Sequence, residues 1–309
     1  MGNPKAFLTV PRQEAGYRPI HDRIRDFGEV EQTLNTSERR LQASRCMDCG
    51  VPFCHWACPL GNRPPEFQDA IYRGNWHEAY EILSLTNDFP EFTGRICPAL
   101  CEKSCVLKLA VDAPVTIRED EGAIAETAFR EGYVVPRQYQ RNGKKVAVVG
   151  SGPAGLATAN QLNRRGYDVT VFERREAVGG LLRFGIPNFK LNKAIIDRRV
   201  DVMKAEGITF EVNADIDILN LPKGFDAYAV CTGTPPGARP QHSRTRPQRC
   251  AFRARPAEPT KPGACRTDIL SRRAGDGKRQ ASAGYRRRRH RQRLHRHEHP
   301  SRRRGCDAD

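Results

Sequence analysis

The spacing of hydrophobic positions changes character near residue 140. Between residues 66 and 85, Phe67, Ala70, Ile71, Ala79, Tyr80 and Leu83 recur at helical spacing with one interruption at Gly74, which predicts a helical stretch broken once. Glu38-Arg39-Arg40-Leu41 predicts an earlier helix with Thr36 or Ser37 as its N-cap, and residues 119–131 a later one that ends near Gly132. From Lys145 the pattern is different. Lys145-Val146-Ala147-Val148-Val149 is the short continuous apolar run of a buried strand, Gly150 to Gly166 reads as a loop and then a helix, and Asp168 to Glu173 reads as a second strand. A strand, turn, helix and strand in about thirty residues begin a doubly wound parallel sheet. The expected fold is therefore an α-helical domain over 1–140 followed by a partial α/β, Rossmann-like domain over 141–237.

Residues 238–309 follow neither pattern. Ile269, Leu270 and Leu294 are their only aliphatic Ile, Leu or Val residues, and Phe252 and Tyr285 their only aromatics. Such a segment buries too little apolar surface to offset its chain entropy and is expected to be a disordered basic tail. Acidic and basic residues balance over 1–237, so the whole net charge of +16 falls in that tail. High basicity suggests a nucleic-acid binder, but the neutral body argues against it, and no specific nucleic acid is expected. No apolar run approaches membrane-spanning length, and Met1 to Ile20 lacks the apolar core of a signal peptide. The expectation is a cytoplasmic protein with no membrane partner.

Eleven cysteines in such a chain point to metal or redox chemistry rather than to disulfides. Seven form two groups, Cys46-x2-Cys49-x4-Cys54-x3-Cys58-Pro59 and Cys97-Pro98-x2-Cys101-x3-Cys105. These short spacings let thiolates turn inward around compact inorganic centres, and a Cys-Pro closing a group is a ferredoxin habit. Zinc is the competing reading, but seven thiolates fit it poorly and there is no second Cys-x2-Cys pair. Two 4Fe–4S clusters need eight ligands, and the seven cysteines leave one to find. Glu119, Glu121, Glu126, His55 and His77 are available, and spacing does not choose among them.

Gly150-Ser151-Gly152-Pro153-Ala154-Gly155 is a G-x-G-x-x-G between a strand and a helix, with Glu173 ending the next strand. The glycines allow a tight turn, a close pyrophosphate and close helix packing, while the acid can accept hydrogen bonds from a ribose. Arg174 and Arg175 could instead attract phosphate. The motif does not separate FAD from NAD. Gly179 to Pro187, a glycine-bracketed apolar loop, and Ala229 to Thr234, a strand ending in a turn of small residues, favour a flavin.

Gly2 to Phe7, Cys46 to Pro59, Phe89 to Pro98 and Gly179 to Leu191 resemble the glutamate synthase small (β) subunit family, and the resemblance covers essentially all of 1–237. Related modules occur in the N-terminal part of dihydropyrimidine dehydrogenase. The resemblance implies two 4Fe–4S clusters, an FAD domain and an inserted NADPH domain. It implies Cys46, Cys49, Cys54 and Cys105 as ligands of one cluster, and Cys58, Cys97 and Cys101 with Glu121 as ligands of the other. It further implies FAD on Gly150, Gly152, Pro153, Ala154, Gly155 and Glu173, with Gly180 and Leu181 near it and Lys190 as a phosphate or flavin contact; Thr232 and Gly233, in the small-residue turn, are placed to close over the dinucleotide. Hydride would pass from NADPH to FAD, and electrons would leave singly through the clusters to the glutamate synthase large subunit. L-Glutamate is made there from glutamine and 2-oxoglutarate. No acid–base residue is demanded of this chain. The same clusters would also suit a subunit of another NADPH-dependent oxidoreductase, and the competing class is a zinc- and nucleic-acid-binding protein.

After Pro236-Gly237 the resemblance stops where an NADPH-binding insertion would begin. Reading permitted codons for Arg239 to Phe252 one base later gives a stretch beginning Asp-Leu-Asn-Ile-Pro-Gly. The same shift over Arg286 to Ser301 gives Gly-Gly-Gly-Asp-Thr-Gly, a nucleotide fingerprint. A frame change near residue 238 accounts for the arginines more specifically than a selected basic arm such as Arg286 to Arg289 binding a polyanion. The NADPH site is then missing from this chain, with weak FAD retention and little NADPH oxidation expected.

Overall fold

Helices occupy the chain as far as residue 130. A computed structural model describes residue 3 and residues 5–233; the tail expected over 238–309 and the frame change near 238 lie outside the described residues. Two single turns, α1 (Ala6–Thr9) and α2 (Ile20–Arg23), interrupt an N-terminal arm, and α3 (Thr36–Ala43) follows. The N-cap of α3 is Asn35, not Thr36 or Ser37. Asn35 accepts from the Glu38 amide at 2.9 Å while Glu38 accepts from the Asn35 amide at 3.1 Å, a reciprocal box that requires an acid three residues after the cap.

The next elements are α4 (Phe53–Ala57), α5 (Pro64–Arg73), α6 (Trp76–Ser84), α7 (Pro90–Ile96), α8 (Leu100–Lys103), α9 (Val106–Val111) and α10 (Ile117–Arg130). The expected break at Gly74 is present: its left-handed φ of 82° ends α5, and Asn75 caps α6. α10 starts two residues earlier than the pattern suggested, at Ile117, because Ile117 is buried with Ile124 in the helical core. Phe67, Ile71 and Leu83 complete that core together with Cys101 and Leu107.

The α/β region comprises β1 (Lys145–Val149), α11 (Pro153–Arg164), β2 (Asp168–Phe172), α12 (Leu181–Phe184), α13 (Lys193–Ala205), β3 (Thr209–Glu211) and β4 (Ala227–Val230). The strands are parallel in the order β3-β2-β1-β4, with Val146 opposite Val169 and Val149 opposite both Phe172 and Val230. This order puts the β1–α11 turn at the carboxyl ends of the central strands, where dinucleotides bind in doubly wound sheets. Among the described residues, no helix is long and apolar enough to cross a membrane.

The two regions share a core. Phe89 and Phe92, at the start of α7, are buried with Val148, Leu156, Val171, Leu191 and Ile196. Beside them Arg199 on α13 forms a two-pronged ion pair with Glu91 on α7, at 2.5 and 3.1 Å, and both side chains are buried. The N-terminal arm adds a third attachment. The Val30 amide donates to the Phe189 carbonyl at 3.0 Å, and Glu29 accepts from the Asn192 amide and from Arg95.

Candidate functional site

Cys46, Cys49, Cys54 and Cys105 line one cavity, closed on its other sides by Met47, Pro52, Phe53, Pro64, Pro65, Leu107, Val115 and Ile117. The chain reverses inside the first pair because Asp48 adopts a left-handed φ of 50°, a conformation that Asp tolerates better than most residues. Burial pushes the Cys46 and Cys54 thiols up to about 12, so loading with a cationic iron core must expel protons. Four thiols around one largely apolar cavity can surround a metal or an inorganic core.

Glu121 lies beside Cys101, away from the first four thiols. Ala99, between Cys97 and Cys101, has a left-handed φ of 53° that turns the chain back on itself. Cys97, Glu102 and Glu121 are close enough to Cys101 to oppose its ionisation; burial is the larger cause of its raised pKa. α4, which Cys58 follows directly, packs against α8, which carries Cys101. Glu121 is buried and accepts from Asn62 at 2.9 Å and Thr93 at 3.4 Å, with no cation among those partners. Burial pushes its carboxyl up to about 7.

The other candidates for the eighth ligand are committed elsewhere. Glu119 pairs with Arg39 and caps the Ala15 amide. Glu126 is held by Arg95 and Arg198. His55 pairs with Glu66, and His77 lies by Glu81 and edge-on to Tyr133. Of the three carboxylates, only Glu121 is both free of arginine and beside a cysteine.

At the glycine loop, each glycine has a distinct physical reason. Gly150 has φ 103°, and a Cβ there would fall 2.5 Å from the Cys231 carbonyl oxygen; one on Gly155 would fall 1.9 Å from the Gly150 oxygen. A Cβ on Gly152 would meet open space, and Gly152 caps α11 with no side chain, just before Pro153 and Ala154. The helix amides there are available to an anion. Glu173 is buried and accepts from the Ser151 amide at 3.1 Å, the Ser151 hydroxyl and the Arg175 amide at 2.9 Å. The Gly179 amide in turn donates to Ser151 Oγ at 3.0 Å.

Gly180 lies against the same loop, since a Cβ on it would come 2.7 Å from Gly152 Cα. Leu181 opens α12 and is exposed. The turn after β4 brings Thr232 beside Gly150 and continues to Gly233 at φ 68°. Lys190 is ion-paired with Glu31 of the N-terminal arm.

Sequence reasoning missed Asn62, Thr93 and Arg45. Thr93 falls inside the Phe89 to Pro98 stretch already singled out, and Arg45 immediately precedes Cys46, so proximity was the available signal. Nothing in the sequence marked Asn62.

Both regions match known proteins. Residues 23–133 match the family described as dihydropyrimidine dehydrogenase domain II, 4Fe-4S cluster, and residues 148–202 match the NAD(P)-binding Rossmann-like domain. The glutamate synthase (NADPH) small chain of Mycobacterium tuberculosis strain H37Rv is 50% identical over 239 residues, covering 75% of this chain and 49% of the relative. The small chain of Bacillus subtilis strain 168 is 46% identical over 247 residues, covering 75% and 50%. That of Escherichia coli K12 is 38% identical over 239 residues, also covering 75% and 50%. The chain spans about half the length of the curated relatives it matches.

Proposed function

We propose, from the premise that this chain is homologous to the glutamate synthase small chains over about half their length, that it is an electron-transfer module of an NADPH-dependent oxidoreductase of that kind. In this reading Cys46, Cys49, Cys54 and Cys105 hold one 4Fe–4S cluster, and Cys58, Cys97, Cys101 and Glu121 hold the other. Gly150 to Gly155, Glu173, Gly180, Leu181, Lys190, Thr232 and Gly233 form the FAD site. Bound flavin supplies conversion between two-electron and one-electron transfer, and the clusters supply a single-electron relay.

The protein's own part is placement. The amides at the start of α11 receive the pyrophosphate, and Glu173 orients the ribose. Glu173, Ser151 and Gly179 brace the two glycine turns against each other. The acceptor is the large subunit, where glutamine and 2-oxoglutarate would yield L-glutamate, and the location is cytoplasmic. The domains divide as 1–140 and 141–237, joined through α7 and α13.

The observation that carries the reading is the regrouping of the cysteines. Cys105 leaves its sequence neighbours Cys97 and Cys101 and lines a cavity with Cys46, Cys49 and Cys54, while Cys101 has a buried carboxylate beside it. Cys105→Ala and Cys97→Ala should each lower iron by about four atoms of about eight after anaerobic reconstitution, each removing a different paramagnetic signal. Unchanged iron in Cys105→Ala, or loss of the same signal in both variants, would contradict the assignment.

A further inference from the structure

Arg45 is a buried guanidinium with no carboxylate to balance it. It is 2% exposed and donates only to main-chain carbonyls: Nε to Val10 at 3.0 Å, Nη1 to Pro114 at 3.0 Å and Nη2 to Ala113 at 2.8 Å. The other deeply buried arginines do have such partners, Arg39 with Asp120 and Arg199 with Glu91. Among the described residues, no carboxylate lies within ion-pair distance of Arg45. A buried charge needs compensation, from a paired group or from a bound ion or cofactor. The groups that act on Arg45 electrostatically are Arg12, of like sign, and the Cys105 sulfur.

Its position is equally specific. Arg45 is bonded to Cys46 in sequence, and its carbonyl partners Ala113 and Pro114 immediately precede Val115, so the guanidinium sits behind the wall of the four-thiol cavity. At the second centre the groups that act on Cys101 are Glu121, itself assigned above as a ligand, Glu102, which is ion-paired with Arg12, and Cys97, none of them a cation. A cubane held by four thiolates is net negative and becomes more so on reduction, and local charge is one of the terms that set its potential. We infer that Arg45 is the counter-charge of the Cys46/Cys49/Cys54/Cys105 centre and holds its reduction potential above that of the Cys58/Cys97/Cys101/Glu121 centre. The inference rests on the cluster assignment proposed above and makes Arg45 a positioning and tuning residue rather than a ligand. The four-thiol centre is then the one reduced first.

The test is a potentiometric titration of the anaerobically reconstituted full chain, following the two centres by their paramagnetic signals. In Arg45→Gln, one centre should shift to lower potential while the other stays. At the parent's midpoint its reduced-to-oxidised ratio should fall about tenfold, equivalent to 59 mV for one electron. Arg45→Lys keeps the charge without the three-pronged fork and should keep the parent's potential, which a purely structural role for the fork would not predict. A loaded Arg45→Gln protein with both potentials unchanged overturns the inference alone. If Arg45→Gln fails to load, Arg45→Lys decides: loading at the parent's potential supports the counter-charge, while a lowered potential or failure to load overturns it. A parent chain that takes up no iron and sulfide overturns the inference together with the cluster assignment.

Discussion

Replacing Arg199 by methionine should destabilise the protein by about 3–5 kcal/mol, the usual cost of leaving the partner of a buried ion pair uncompensated. Glu91 has no exposed surface, and its carboxylate is satisfied on both oxygens by Arg199 at 2.5 and 3.1 Å. The same guanidinium lies 5.0 Å from the centre of the Phe129 ring and 5.7 Å from that of Phe89. The pair therefore clamps α13 of the α/β region onto α7 and α10 of the helical region. Methionine preserves the aliphatic packing, so the loss isolates the charge. The double variant Arg199→Met with Glu91→Met should recover most of the stability, because a buried pair exchanged for apolar groups of similar size is often neutral. Denaturant unfolding of the parent, both single variants and the double variant measures the coupling. A single variant within about 1 kcal/mol of the parent would show that the two regions are not joined through this pair.

Gly94→Ala should be comparably damaging, and Gly122→Ala should be tolerated, although the two glycines face each other where α7 crosses α10. A Cβ on Gly94 would lie 2.5 Å from Gly122 Cα and 2.6 Å from its nitrogen, whereas a Cβ on Gly122 would meet Gly94 Cα at an ordinary 3.7 Å. The first contact is with backbone and cannot be relieved by a rotamer change, so the helices must separate. Overpacking of this kind costs about 1–3 kcal/mol or more. At Gly122 the gain in helix propensity, about 0.8–1.0 kcal/mol, meets no such opposition. The separation also has a chemical consequence. α7 carries Thr93, which donates to Glu121, and leads directly into Cys97. Gly94→Ala should therefore lose the second cluster before the first. The measurement is paired thermal unfolding and iron content for the two alanine variants, and equal behaviour of the two would contradict the crossing geometry.

The parts of this fold that are legible in the sequence depend on local chemistry. β1 begins and ends where the apolar run does, because a parallel strand covered by core needs continuous apolar residues and Gly150 then turns the chain. Gly74 ends α5 because the residue there must be left-handed. What stayed hidden depends on residues far apart in the chain. Glu119, Glu121 and Glu126 are equivalent candidates by spacing. The structure separates them only through distant residues: Arg39, Arg95 and Arg198, from α3, α7 and α13, pair with Glu119 and Glu126 and leave Glu121 without an arginine, which is why the proposal above takes Glu121. Phe89 and Phe92 read as part of the helical region but pack into the α/β core. Asn35 rather than Thr36 caps α3 because the cap is fixed by the reciprocal bond to Glu38, which residue type alone does not reveal. Lys190 read as a cofactor contact from the resemblance, and its partner in the structure is Glu31, contributed by an arm whose course no local pattern specified.

In the reading proposed above, the seven cysteines and Glu121 hold two four-iron centres. The most direct test is iron and acid-labile sulfide analysis of the full chain after anaerobic reconstitution. About eight irons and about eight sulfides per chain are expected. Stoichiometric zinc without sulfide would contradict that reading and would return the cysteines to a structural metal site.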